Sequence, residues 1–239
     1  MSSTYAILSV KNSPILNFLL VELKKRNHLP KAIIYDNKNL AKEEIVRYCD
    51  RTGYSINELV FSENKFNLSS FRVINHNSLE TINLIKKLKI NFLVNAGTPR
   101  ILKKSIIEST SGVLNCHPGI LPSFRGCSCV EWAIYKDQPV GNSIHWIDES
   151  IDSGPLITTK ITKCFRSDKY QDIRKRVYHD GYLLMINTIS KLIKTPDFLS
   201  SNELKGKLYS GGTYYKPMQN NLLNQVKIKV KNKLYKHQT

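Results

Sequence analysis

Residues 90–118 read Ile90-Asn91-Phe92-Leu93-Val94-Asn95-Ala96-Gly97-Thr98-Pro99-Arg100-Ile101-Leu102-Lys103-Lys104-Ser105-Ile106-Ile107-Glu108-Ser109-Thr110-Ser111-Gly112-Val113-Leu114-Asn115-Cys116-His117-Pro118. Two short apolar runs, Ile90 to Asn95 and Gly112 to Asn115, bracket a stretch from Arg100 to Glu108 that reads as helix. Continuous apolar character in so short a run marks a strand buried on both faces, the environment of a parallel sheet. Upstream the pattern repeats. Tyr5 to Val10 is a strand ending at Lys11-Asn12-Ser13-Pro14, where Ser13 can cap a helix whose first turn accepts proline. Ile15, Leu16, Phe18, Leu19, Leu20 and Leu23 line that helix, Lys24-Lys25-Arg26 closes it, and a strand follows at Ala32 to Tyr35. A helix to Arg51 closed by Thr52-Gly53, a short strand near Phe71 to Ile74 and a helix over Leu79 to Leu88 complete the first half.

Alternation of strand and helix predicts an α/β fold: a Rossmann-like open, mostly parallel sheet with helices on both faces. Downstream, Val130 to Tyr135 reads as helix, Asn142 to Ile147 and Leu156 to Ile161 as strands, and Tyr170 to Leu192 as a long amphipathic helix. These assignments place the main domain at residues 1–192 and a short C-terminal extension at 193–239. In the extension, Val226, Ile228 and Val230 alternate with lysines, which fits an edge strand or a basic surface tail, and the segment as a whole suits a hairpin or a dimer contact.

The 239 residues are 41% hydrophobic and 23% charged, the balance of an ordinary globular protein able to bury one sizeable core. No apolar run reaches the roughly 18 residues of a bilayer span. The N-terminus reads as a first strand rather than a signal peptide, so a cytoplasmic location is expected. Five cysteines in irregular spacing argue against a disulfide framework, and Cys127-Ser128-Cys129 has no second Cys/His pair to complete a tetrahedral site, so no metal is expected. A formal charge of +17 points to an acidic partner such as a phosphorylated metabolite. Nucleic acid is not expected as the main partner, because no motif of a known reader accompanies the charge.

Ligands of open α/β sheets collect outside the carboxyl ends of the strands, which puts Asn95 to Pro99 and Asn115 to Pro118 on one rim. Acyl transfer to an amine needs a donor for the developing oxyanion, a group to handle the amine proton, and tight positioning. Asn115 and His117, two residues apart on a strand end, project to the same side. A carboxylate can reach them from Asp152, in the polar loop between the two later strands. Singly, each has an ordinary structural reading: Asn115 as a strand-closing residue, His117 as a rim histidine, Asp152 as an Asx-turn residue before Gly154. His145 reads as a strand residue rather than a second catalyst, and Asp148 and Glu149 as loop carboxylates.

The run Asn115-Cys116-His117-Pro118-Gly119-Ile120-Leu121-Pro122-Ser123-Phe124-Arg125-Gly126 resembles the N-x-H-P/G-x-x-L-P-x-x-R/K-G signature of formyltransferases that use N10-formyltetrahydrofolate. His145 to Ile157 is similar to that family's second block, an aspartate preceding a glycine-proline pair, and Ala96 to Leu102 is similar to its folate-site turn. Three blocks in order over Asn91 to Lys160 make the match specific. The resemblance implies that Asn115 and His117 bind the formyl oxygen, that Asp152 positions a proton-relaying water and orients the imidazole, and that N10-formyltetrahydrofolate is the co-substrate. It also implies that Gly97, Arg100, Ile101 and Leu102, with Asp148, Glu149 and Ile151, hold the pterin.

The acceptor is narrowed by what the chain has in place of family features. Purine-pathway members hold a substrate phosphate in a glycine-rich loop after the first strand; Val10 to Pro14 has no glycine there. Initiator-tRNA formylating members add a C-terminal barrel, for which the last 47 or so residues are too few. The nucleotide-sugar N-formyltransferases fit best, implying transfer to a nucleotide-linked amino sugar such as a dTDP-linked 4-amino-4,6-dideoxyhexose of surface polysaccharide (O-antigen, lipopolysaccharide), and a homodimer. Arg125 is then either a turn-stabilising cation or a phosphate contact, and Tyr214 and Tyr215 either stack on the base or pack the extension. Phosphoribosylglycinamide formylation, and folate or nucleic-acid binding without catalysis, are the competing readings.

Overall fold

The computed structural model describes residues 3–11, 13–39, 41–55, 66–195 and 197–239. Strand β1 (Tyr5–Ser9), helix α1 (Pro14–Lys25) and strand β2 (Ala32–Asp36) make the first unit. Both strands are buried along their whole length. Tyr5 and Ile7 point into an apolar cluster with Leu16, Leu19, Leu20 and Leu23 of α1, while Ala6 and Leu8 point into a second cluster with Ile85 and Ile106. Helices therefore cover both faces, which is why these strands read as uninterrupted apolar runs. Ser13 occupies the position preceding α1, but its hydroxyl donates to the Ala96 carbonyl (3.2 Å) instead of capping the helix as expected.

The chain continues through α2 (Lys42–Thr52), ended by Gly53 at φ 71°, then β3 (Ser69–Val73) and α3 (Leu79–Lys87), whose capping Ser78 accepts from the Thr81 N–H. Next come β4 (Phe92–Asn95), α4 (Lys104–Ile107) and β5 (Val113–His117). The helix expected from Arg100 to Glu108 is thus cut to its second half. Asn77 takes up backbone groups of the first half: its amide donates to the Ile101 carbonyl and its oxygen accepts from the Lys103 N–H, and residues 100–103 lie outside the helix. The remaining elements are β6 (Phe124–Gly126), α5 (Cys129–Tyr135), β7 (Gly141–Trp146), β8 (Leu156–Ile161), α6 (Tyr170–Lys194), β9 (Thr213–Tyr215) and α7 (Asn220–Lys231).

Seven strands form one sheet in the order β3-β2-β1-β4-β5-β7-β8, parallel from β3 to β5 and antiparallel through β7 and β8. The chain reverses its winding between β1 and β4, so the crevice at their carboxyl ends, beside β5, is where such a sheet receives ligands.

The C-terminal segment departs from expectation twice. Among the described residues its strand β9 pairs in parallel with β6, matching Arg125 with Tyr214, rather than in a hairpin. The valine-lysine alternation is not a strand either. Val226 and Val230, four residues apart, are buried in α7 against α5 and α6, with Leu222 and Leu223 packed beside them, while Ile228 is 55% exposed. Residues 226 and 230 share a helix face that a period-two reading assigns equally to residue 228.

Candidate active site

At the end of β4, Asn95 accepts from the Gly97 and Thr98 N–H groups, so its oxygen is committed to that turn and its amide donates to Asn115 Oδ1 (2.9 Å). Asn115 Nδ2 in turn donates to His145 Nε2 (3.0 Å), and His145 Nδ1–H donates to the Trp146 carbonyl (2.9 Å). This chain of single assignments fixes the orientation of each amide and the tautomer of His145. It leaves the second hydrogen of Asn115 Nδ2 for a ligand, since among the described residues no other acceptor takes it.

His117, at the end of β5, is 4% exposed. Its Nε2–H donates to the Phe124 carbonyl (2.8 Å), so the atom facing Asp152 Oδ2, 3.2 Å away, is Nδ1. Asp152 Oδ1 lies 3.6 Å from His145 Nε2, and Oδ2 accepts from the Gly126 N–H (2.9 Å). The expected trio therefore meets, with His145 as a fourth member. Asp152 is not the Asx-turn residue of the ordinary reading: its carboxylate points inward, and its backbone sits at φ 49°, a conformation that side-chain-bearing residues adopt at a cost. Four contacts hold it there. Tyr209 donates to its carbonyl (2.6 Å), Arg125 donates twice to the Ile151 carbonyl, Ser153 donates to Asp148, and Gly154 passes so close to the Trp146 carbonyl that a Cβ would lie 2.0 Å from that oxygen.

Burial pushes the His117 imidazole below its ordinary value against the pull of Asp152 and the Phe124 carbonyl. Burial also pushes Asp152 upward, but the neighbouring imidazoles of His145 and His117 and the Gly126 N–H outweigh it, and the carboxyl is held below its usual range. With both groups deprotonated near neutral pH, His117 Nδ1 and Asp152 Oδ2 face each other as acceptors 3.2 Å apart, a gap that a single proton can bridge.

A cleft of about 210 Å³ opens on this centre, lined by Asn115, His145 and Asp152 on one wall and by Arg100 to Leu102 and Asp148 to Ile151 on the others. The turn at 97–102 is braced from β2: Arg100 makes two hydrogen bonds to Asp36, and His76 receives the Thr98 hydroxyl at Nδ1 (2.6 Å) while its Nε2–H donates to the Ile34 carbonyl. Gly97 sits at φ 93° against the Ser13 hydroxyl. Ile101 and Ile151 are exposed, and Leu102 is buried. His117 does not line this cleft; it stands behind Asp152, and the imidazole lining the cleft beside Asn115 is that of His145. A histidine on a buried strand carries no local mark of function, so the sequence does not single out His145. Its significance lies in the β5–β7 register, which sets it directly opposite Asn115.

Of the other expected contacts, the Arg125 guanidinium is engaged by the Ile151 carbonyl. The Tyr215 ring stacks on Phe124 and Trp132, at 5.4 and 5.3 Å, and Tyr214 is exposed. Tyr209, which holds Asp152, carried no sequence signal because it joins the site only through tertiary packing. Among the described residues no group of His, Cys, Asp and Glu is arranged to hold a metal ion, and no helix is long and apolar enough to cross a membrane.

An amide donor, two imidazoles and a carboxylate thus gather beside β5 of an open α/β sheet, the kinds of group that acyl transfer requires. The chain belongs to the formyl transferase family, whose model matches residues 5–189. Members of this family take the formyl group from N10-formyltetrahydrofolate. The chain is 31% identical over 144 residues to a methionyl-tRNA formyltransferase of Methylacidiphilum infernorum, covering 59% of this chain and 45% of the relative. It is 32% identical over 117 residues to that of Thermodesulfovibrio yellowstonii, covering 47% and 38%. The match thus spans less than half the length of these curated relatives. By fold, the chain is similar to a sugar N-formyltransferase from a Shewanella species (TM-score 0.62, 20% identity, 90% of this chain and 77% of that one). It is similarly close to a phosphoribosylglycinamide formyltransferase from Anaplasma phagocytophilum (TM-score 0.62, 18% identity, 90% and 96%).

Proposed function

We propose that this chain transfers the formyl group of N10-formyltetrahydrofolate to the amino group of a nucleotide-linked amino sugar, a dTDP-4-amino-4,6-dideoxyhexose being the preferred acceptor. The observation that carries the catalytic part is the placement of Asn115, His145 and Asp152 on one wall of a cleft whose other walls are the backbone of residues 100–102 and 148–151. Segments of this kind, bordering the cleft on two sides, suit the two faces of a pterin. The amine nitrogen attacks the formyl carbon, forming the C–N bond, and charge develops on the formyl oxygen. The uncommitted N–H of Asn115 faces that charge, and one such preorganised donor is worth on the order of a hundredfold or more in turnover. The proton released by the amine passes to the Asp152–His117 contact, and the folate nitrogen leaves with a proton returned from it.

For the acceptor, the support is what fills the loop after β1. The Ser13 N–H donates to the Val10 carbonyl and its hydroxyl to Ala96, so both polar groups of Ser13 are committed within the protein rather than turned toward a phosphate. That favours an acceptor whose anionic group is held elsewhere over a glycinamide ribonucleotide. The test is mass spectrometry for gain of one formyl group on a panel of nucleotide-linked amino sugars, glycinamide ribonucleotide and methionyl-tRNA. Formylation of an amino sugar, reduced at least a hundredfold in Asn115→Ala, is expected. Formylation of only one of the other two acceptors, or full activity in the variant, overturns the reading.

A further inference from the structure

Beside the folate-side cleft lies a larger one of about 990 Å³, reaching from Pro118 and Gly126, the neighbours of His117 and Asp152, to Lys227 on α7. A third cavity of about 560 Å³ continues from it, sharing Asp50, Tyr170 and Lys227 as lining residues. The two form one trough with the proton-accepting contact near one end. At the far end stand Arg166, Lys169, Lys227, Lys231 and Lys233.

The +17 charge by itself predicts scattered lysines, so the arrangement rather than the count is what matters. Among the described residues none of these five cations has an ion pair, whereas Lys229, between two of them on α7, pairs with Asp137 at 2.7 Å. Of the two carboxylates lining the far cavity, Asp168 is taken by Arg176 in two hydrogen bonds, leaving Asp50. Lys227 and Lys231, four residues apart, project from one face of α7, and the Lys227 ammonium sits 5.6 Å above the Tyr170 ring. Tyr170 begins the 25-residue α6, preceded by Lys169, whose N–H donates to the Asp172 carboxylate in the first turn (2.8 Å). The five cations gathered around the cavity outnumber Asp50 and Asp172, and this surplus of like charge repels itself until a bound anion neutralises it.

The geometry points to this end of the trough as the site for a diphosphate-class anion, held by Lys227 and Lys231 with Arg166, Lys169 and Lys233 around it, while the acceptor's amine lies near Gly126. The inference rests on the proposed acceptor chemistry and adds where its charge is held. The combined volume exceeds what a nucleoside diphosphate joined to one sugar requires.

The test is titration calorimetry of the full chain with inorganic pyrophosphate and with dTDP as probes, at low and near-physiological salt. Both are expected to bind, more weakly as salt rises. Lys227→Ala/Lys231→Ala weakens dTDP at least tenfold, and Lys86→Ala/Lys87→Ala on α3 leaves it within twofold. Lys231→Glu gives the same direction should the double variant fold poorly, and thermal melts report folding. No binding at millimolar probe, equal loss in the α3 variant, or binding of random RNA through these lysines without dTDP binding overturns the site. The two readings fail separately. A chain that binds dTDP through α7 but formylates no amino sugar retains the site and loses the catalytic reading. A chain that formylates an amino sugar with an unchanged KM in the α7 variant loses the site alone.

Discussion

Each polar atom at the centre is assigned by its neighbours. Asn95 is oriented by two backbone N–H groups, and that orientation passes through Asn115 to the tautomer of His145. A preorganised N–H at Asn115 follows, because the amide cannot turn without breaking two bonds. Asp152 carries the electrostatic consequence. Its folded carboxyl is held below the ordinary value of 3.8 by the surrounding imidazoles and the Gly126 N–H, against burial. A depressed carboxyl contributes stability that is complete above its unfolded value and is lost as pH falls through the folded one. The margin of wild type over Asp152→Asn in unfolding free energy therefore shrinks as pH falls below about 3.8, where the unfolded carboxyl has already taken up its proton. Chemical denaturation of both proteins below about pH 5 checks it, and a margin that widens between about pH 3.8 and lower pH contradicts the assignment.

At the scale of elements, α7 is informative because two periodicities compete within Val226-Lys227-Ile228-Lys229-Val230-Lys231. Alternation by two suggests a strand, yet the apolar partners at Leu222 and Leu223 extend the stripe by steps of three and four, which only a helix can present to α5. The consequence is an unequal pair. Val226→Ala is expected to cost about 1.5–3 kcal/mol, two buried methyl groups plus the cavity they leave, while Ile228→Ala stays within about 0.5 kcal/mol. Urea unfolding of the two variants decides, since a strand would make them comparable. The shortened α4 teaches a related point: Arg100 to Lys103 have helical composition, but Asn77 from another segment takes their backbone groups, and residues 100–102 are left outside the helix along the cleft.

At the scale of the whole molecule, α2, α5 and α6 are joined by a buried charge cluster beneath the trough. Glu131 lies 3.4 Å from Arg174 and 3.5 Å from Arg51, and receives the Tyr170 hydroxyl. Glu131→Gln leaves the Arg174 guanidinium, 2% exposed, without a counter-charge, and is expected to cost about 3–5 kcal/mol in urea unfolding. A loss under about 1 kcal/mol would show that the cluster is dispensable.

What the sequence determined by itself was local or nearly so: the order of strands and helices, set by apolar period and by Pro and Gly breaks, and the meeting of Asn115 with His117, set by two residues on one strand end. Asp152 was legible from its place in the polar loop between the two later strands, just before the Gly154-Pro155 pair. Tertiary structure alone decided that His145 faces Asn115, that Tyr209 holds Asp152, that His117 stands behind the carboxylate, and that α7 is a helix whose lysines gather at the start of α6. The physical reason is shared: register across a sheet and packing between distant helices depend on long-range contacts, and no single residue's neighbours in the chain record which distant surface it will meet.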